Sequence, residues 1–508
     1  MPQFLIAASA AEPSTVVALS PVIVGVVFVL VAIVAFRLHA FFALLLGAYA
    51  VSFTAGWAAG WDEERHALAA VVTRVPAEFG VMAGKIGVLI GMAAVIGSAM
   101  TASGASNTIV KASLSAFGVK RAVPAMTTAG FVLSIPVFFD TVVYLVAPLA
   151  RATHRAMGDR GYLKYLMAVG AGGATAHSLV LPTPGPLVIA GILGVSVGTM
   201  LLVGLAVAVP TAVVGGIAAV WFADRMGERQ PPSVGEVTAD EEARAAAPGD
   251  VMEQAQEPTA TNDPGLALAL LPVVLPVLLI SSNTAIGPAF PGESNAVLAN
   301  VKSVAAVVGD PSVALTLAAA ASVFVLCRQT GRSLRDLVTF FESAVTDAGP
   351  IILITSAGGS FGAMLKLAEL KIAVSNMTGG AELAGLGALV LAFIVTIIVK
   401  VAQGSSTAAM TIAGGIVAGL LVSDVPPGEL ASALAAACGF HPVYLAVAIG
   451  SGAIVGAWMN DSGFWIFTKF AGLSPVEGLK TWTPLMSILG VTAFLTTLLL
   501  ASVFPMAG

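Results

Sequence analysis

Charge is what this sequence has least of. Of its 508 residues 10% are charged and 57% apolar, where a soluble domain carries about 25% charged residues. So little polar surface cannot wrap a folded chain of this length in water, which argues against a soluble enzyme, a nucleic-acid binder and a disordered scaffold. Cysteine is almost missing as well. Cys327 and Cys438 both stand in apolar stretches, where a free thiol behaves as a small hydrophobe, so no disulfide framework and no cysteine metal site is available. The amino end, MPQFLIAASAAEP, holds no lysine or arginine before its short apolar run. That speaks against a secretory signal and for a tail leading into a first span. Residues 224–263 carry ten acidic residues and three arginines, and without them the balance is 20 basic to 18 acidic. The net charge of −5 therefore belongs to one hydrophilic loop and says nothing of partners for the body.

What abounds is apolar sequence of spanning length. At ~20 residues per crossing, the ~290 apolar positions furnish about a dozen spans. Runs stand at 15–36, 39–59, 80–102, 122–150, 162–181, 186–193 with its continuation 201–223, 265–281, 311–327, 349–367, 384–401, 408–422, 444–459 and 484–504. The expectation is an all-α polytopic membrane protein with roughly 12 to 14 membrane segments, some of them not crossing. Residues 224–264 are acidic, Pro-rich and free of aromatics, a composition that cannot order itself. They divide the chain into a first membrane half, 1–223, and a second, 265–508. Arg37, the group Arg151, Arg155, Arg160 and Lys164, the pair Arg225 and Arg229, and the group Arg328, Arg332 and Arg335 mark cytoplasmic ends.

The halves share a pattern. Tyr165 to Ser196 lines up with Tyr444 to Ser474: Tyr-Leu, Gly-x-Gly, a turn tetrapeptide, then Gly-x-Ser. The tetrapeptides are PTPG, Pro182 to Gly185, and NDSG, Asn460 to Gly463. In hydrocarbon a broken helix survives only where protein buries it or a wet cavity solvates it, and matched breaks in two halves point to a transporter's substrate site.

Four breaks carry candidate chemistry. In AHSLVLPTPGPL, three prolines in five residues end the helix; His177, Ser178, Thr183, Pro184 and Gly185 would present hydrogen bonds and a helix amino end to an anion. The plainer reading is an external turn. In WMNDSGFW, Asn460, Asp461, Ser462 and Gly463 form either an interfacial turn between belt tryptophans or a second re-entrant tip, with Asp461 a proton carrier. In SIPVFFDTVVYLV, Asp140 follows Pro136 by four residues in apolar surroundings. An ionised carboxylate there costs ~3 kcal/mol, so it is protonated, paired or hydrated; it is the first choice for coupling protonation to transport, against a plainer reading in which it caps the half-helix after Pro136. In VKVAQGSSTAAM, Gln403, Gly404, Ser405, Ser406 and Thr407 exceed what close helix packing needs and read as an unwound, substrate-binding segment. Lys400 just before it either snorkels to an interface or answers an anion's charge. Ser103 to Asn107 and Gly358 to Gly362 are weaker candidates for breaks, with Lys85 and Asp347 near their openings.

FFDTV at Phe138 to Val142, AHSLVLPTPGPL at Ala176 to Leu187, VAQGSSTAAM at Val401 to Met410 and NDSGFW at Asn460 to Trp465 occur in one order across nearly the whole chain. In these the sequence resembles the gluconate permease family of bacterial gluconate:proton symporters. The resemblance implies a multi-pass protein of the bacterial inner membrane, two inverted repeats with re-entrant hairpins, proton-driven import of a small organic anion such as a sugar acid, and a homodimer. It implies no metal and no cofactor beyond the co-transported proton. D-serine or another zwitterion remains an alternative cargo, and sodium an alternative coupling ion. A passive channel is a third reading. A membrane-embedded hydrolase has little behind it, since no HExxH, paired GxGD aspartates or Ser/His/Asp spacing occurs.

Overall fold

The computed structural model describes residues 15–36, 38–58, 68–118, 121–136, 161–227, 263–289, 296–366, 385–422, 425–426, 428–459 and 461–506, with single positions between 139 and 154. Asp140, Asn460 and most of the 224–264 linker lie outside the described residues. Where hydrocarbon denies the backbone any water, the chain must satisfy its amides internally, and it does so with helices throughout; no strand occurs among the described residues.

The first half comprises α1 (Thr15–Val34), α2 (Ala40–Ala58), α3 (Leu68–Ala102), α4 (Ala105–Phe117), α5 (Ala122–Leu133), α6 (Tyr162–Leu179), α7 (Pro184–Leu193) and α8 (Val197–Met226). The second comprises α9 (Leu266–Ala289), α10 (Ala296–Val308), α11 (Pro311–Thr330), α12 (Val338–Lys366), α13 (Leu386–Gln403), α14 (Ser406–Leu421), α15 (Leu430–Cys438), α16 (Val443–Gly452), α17 (Ser462–Ala471) and α18 (Pro475–Val503). Among the described residues six stretches are long and apolar enough to cross a membrane, seven if α15 and α16, bent by 82°, count as one. Five shorter apolar helices of 10–17 residues accompany them. The all-α membrane architecture is as the sequence implies.

Gly358 to Gly362 is not a break: it runs inside α12. A Cβ on Gly358 would lie 2.0 Å from the Thr411 side chain of α14, and one on Gly362 3.0 Å from the Gly415 backbone. These glycines let α12 and α14 touch, the role small residues play between membrane helices. Ser103–Gly104 does break the chain, with Gly104 left-handed between α3 and α4.

Two apolar clusters result. In the smaller, Phe361 of α12 packs beside Gly25 of α1 and Gly47 of α2, with Val29, Leu44 and Val51 around it. Pro76 within α3 removes an amide and distorts the ladder before it; buried Ser52 and Ser360 donate to the Val71 and Val75 carbonyls at 3.1 and 3.0 Å. The larger cluster surrounds α6. Gly130 of α5 and Gly204 of α8 press on the Val169 and Leu179 carbonyls of α6, and Gly172 of α6 on the Thr127 carbonyl. A Cβ at any of the three would fall 2.0–2.4 Å from those oxygens. The α6–α7 stretch is therefore 89% buried, against 39–50% for the spans formed by α3, α8, α11 and α18. It is held inside protein, where a broken helix is tolerated.

Candidate functional site

Each break has a local cause. After α6 the Leu181–Pro182 peptide is cis and Thr183 stands at the amino end of α7, where Pro184 occupies the first turn. Of the first three residues of α7 only Gly185 has an amide to offer, so this tip supplies one donor rather than a nest. The Thr183 hydroxyl donates to the Val180 carbonyl and closes the turn. After α13, Gly404 takes φ +85°, which ends the helix. Ser405 then caps α14, its Oγ accepting from the Ala408 amide at 3.3 Å. Beyond α16 the chain unwinds from Ala453, passes Gly456 at φ +71°, and re-enters a helix where Asp461 Oδ1 accepts from the Phe464 amide at 3.3 Å.

The three breaks meet. The Ser406 hydroxyl donates to the Ala453 carbonyl at 2.9 Å and the Trp458 indole to the Val401 carbonyl at 2.9 Å, tying the α13–α14 break to the α16–α17 break. Gly185 faces Met410 and Thr407, where a Cβ would meet Sδ at 2.7 Å and the threonine Oγ1 at 3.7 Å. This brings the α6–α7 tip onto α14. The Ser178 carbonyl packs on Gly450 of α16, 2.8 Å from where a Cβ would sit. Phe139, which follows the turn at Ser134–Pro136, lies against both Gly173 of α6 and Gly463 of α17.

At the centre is an ion pair. Lys400, in the last turn of α13, is 1% exposed; its Nζ donates to the Gly404 carbonyl and to Asp461 Oδ2, on a carboxylate 16% exposed. A lysine in hydrocarbon without a partner would be very costly. Here the helix end supplies a carbonyl and the facing tip a carboxylate. His177, half-buried at the end of α6, is close enough to feel the charges of both, and its Nδ1 has no hydrogen-bond partner. The amino ends of α14 and α17 stand at this pair through Ser405 and Asp461, and that of α7 lies against Thr407 and Met410 of α14; each carries a fractional positive charge.

Most of the sequence candidates are assembled here. His177, Ser178, Thr183, Pro184, Gly185, Gly404, Ser405, Ser406, Thr407, Asp461, Ser462 and Gly463 all lie on the three breaks. Gln403 ends α13, but its side chain is outside the described residues, as are Asn460 and Asp140. Lys85 is exposed on α3. Lys400 does not snorkel: its ammonium stays inside, on Asp461. A lone lysine four residues ahead of a glycine in an apolar run was the available signal. Phe139 and Trp458 also join the site, and nothing in their spacing indicated it.

The aligned hairpins are built alike. α7 and α17 are each ten residues long, and each ends on a left-handed glycine, Gly194 and Gly472. Each is followed by a serine, Ser196 and Ser474, that caps a helix of 30 or 29 residues.

Paired helix breaks buried inside a helical bundle define a membrane protein of transporter architecture. The fold agrees with MtrF of Neisseria gonorrhoeae, described as illuminating a class of antimetabolite efflux pumps: TM-score 0.61 at 13% identity, over 91% of this chain and 95% of that one. The family follows from sequence. The model of the GntP family permeases matches residues 17–503, and this chain belongs to that family. The inner membrane permease YgbN of Escherichia coli is 32% identical over 95% of this chain and 98% of its own length. A gluconate permease of Pseudomonas aeruginosa is 28% identical over 95% and 97%. The protein is a multi-pass permease of the bacterial inner membrane and not an enzyme.

Proposed function

We propose that this permease is a proton-coupled symporter importing gluconate or a related small sugar acid. The observation that carries the reading is the Lys400–Asp461 pair at the meeting of three helix breaks. A buried cation and three positive helix ends suit an organic anion, and the hydroxyls of Ser405, Thr407 and Ser462 suit a polyhydroxylated chain. The similar permease of Pseudomonas aeruginosa is named for gluconate. Asp461 is the proton carrier, with Asp140 the second candidate; no metal or organic cofactor takes part. The matched hairpins belong to two inverted halves, 1–223 and 265–508, joined by the acidic linker 224–264, and the assembly is a homodimer in the lipid bilayer.

The test is uptake of radiolabelled gluconate into proteoliposomes. An inside-alkaline pH gradient in sodium-free buffer should drive accumulation above equilibrium. Accumulation driven by sodium alone, or transport of D-serine with none of gluconate, would overturn the reading. Asp461→Asn should abolish uphill uptake, and full accumulation by that variant would remove Asp461 from the mechanism; that loss in Asp140→Asn alone would make Asp140 the carrier instead.

A further inference from the structure

Lys400 and Asp461 neutralise each other in the substrate-free protein, so a sugar acid meets a site whose cation is already occupied. An anion added to that site would bring a net negative charge into the membrane interior, where unpaired charge is expensive. Resting on the function proposed above, we propose that the substrate carboxylate and Asp461 compete for one ammonium, so that the cargo takes Lys400 only after Asp461 has accepted a proton.

The geometry allows this exchange. An ammonium has three donors; one of Lys400 goes to the Gly404 carbonyl, which fixes Nζ at the break, and one to Asp461. The lysine is 1% exposed and the carboxylate 16%, so Asp461 is the half of the pair that protons and solutes reach first. Among the described residues Ser405, Trp458, Met459 and Ser462 are exposed around that end. Asp461 does not depend on Lys400 for its position, because Oδ1 caps α17 through the Phe464 amide. It can lose the ion pair and keep its place.

The balance closes on one proton. The empty site holds one ammonium and one carboxylate; the loaded site holds the ammonium, the substrate carboxylate and a neutral Asp461 acid. Both have zero net charge, whereas substrate without a proton leaves one negative charge and a proton without substrate leaves one positive charge. Only the empty and the doubly loaded sites can therefore cross the apolar interior at low cost, which is the condition for symport. Few other charges face the pair. α7, α14 and α16 carry none and α13 carries only Lys400. His177 of α6 is within electrostatic reach. Lys469 on α17 stands eight residues from Asp461, and Glu477 and Lys480 follow on α18; Asp140 lies outside the described residues.

The test is equilibrium binding of gluconate to the full-length purified permease across pH 5 to 9. Wild-type affinity should fall about tenfold per pH unit at the alkaline end, as one linked proton requires. Asp461→Asn keeps a capping side chain and should bind gluconate with little pH dependence, at alkaline pH more tightly than wild type. Lys400→Gln with Asp461→Asn leaves no buried charge to disrupt folding and should lose at least a hundredfold in affinity at every pH. Gluconamide, which lacks the carboxylate charge, should show no dependence on Asp461. A pH slope that survives in Asp461→Asn, or gluconate affinity retained in the double variant, overturns the exchange and leaves the transport reading standing. Absence of wild-type gluconate binding at every pH overturns both.

Discussion

The two hairpins α6–α7 and α16–α17 have the same parts in the same order, yet they carry opposite chemistry. The first turns on Pro182, Thr183 and Pro184, and its tip, from Ser178 to Gly185, holds no charged residue. The second turns through Ala453 to Asp461 and places a carboxylate where the first has Thr183. Both positions cap a ten-residue helix that ends on a left-handed glycine. The first tip closes on itself, its threonine hydroxyl spent on the Val180 carbonyl. The second reaches outward, to Lys400 with its side chain and to Ser406 with its Ala453 carbonyl. Two hairpins of like build thus give a tip closed on its own backbone on one side and a carboxylate paired with a lysine on the other. The symport proposed above, which binds an anion and a proton together, needs that inequality.

The largest expected effect breaks the comparison at the charged tip. Lys400→Met leaves Asp461 without its ion-pair partner and should cost about 3–5 kcal/mol, the range for removing one partner of a buried pair. Thr183→Ala at the matching cap removes one neutral hydrogen bond and should cost about 1 kcal/mol. Thermal unfolding in detergent would order the two; equal losses would mean that the hairpins differ in sequence and not in energetic role. Next comes the pair of tip glycines. On Gly463 a methyl would meet Asp461 Oδ1 at 3.0 Å and the Phe139 ring at 3.1 Å, while on Gly185 it meets the flexible end of Met410 at 2.7 Å. Gly463→Ala should therefore cost about 1–3 kcal/mol, the range for overpacking, and depress uptake. Gly185→Ala should leave uptake near wild type because the thioether can swing aside. A smaller effect is expected of Ser406→Ala, which loses the bond to Ala453 and about 1 kcal/mol.

The sequence made most of this legible for physical reasons that can be named. Three prolines in five residues cannot continue a helix and Gln403 to Thr407 sets five small or polar residues in a row, so the breaks after α6 and α13 were readable from residue types alone. Asp461 in an apolar run declared a constrained carboxylate. Lys400 announced a charge that needed an answer, but its partner sits 61 residues away, and only the folding of α16 beside α13 decides between snorkelling and pairing. Gly358 to Gly362 misled in the other direction. Glycine permits both a break and a close helix contact, and only the presence of α14 on that face shows which applies. Phe139 was hidden because an aromatic in an apolar stretch looks like any core residue until α6 and α17 are seen to lay glycines against it.

The finest distinction concerns the serines that follow the two hairpins. Ser196 caps α8 by accepting from the Thr199 amide at 3.1 Å, whereas Ser474 caps α18 in a capping box closed by Glu477, whose carboxylate accepts from the Ser474 amide at 2.9 Å. Replacing an amino-terminal cap by alanine costs about 1 kcal/mol, so if the hairpins are equivalent modules, Ser196→Ala and Ser474→Ala should each lower the unfolding midpoint slightly. The box adds a second satisfied donor on one side only. Ser474→Ala frees Glu477 from the hydroxyl but leaves its bond to the residue-474 amide, which alanine also has. The two variants should then differ by a few tenths of a kcal/mol, with Ser474→Ala the milder, and Glu477→Ala should remove that margin. A Ser474→Ala loss well above that of Ser196→Ala would show instead that the charged hairpin transmits strain into α18, and that the inequality between the tips extends into the long helices that carry them.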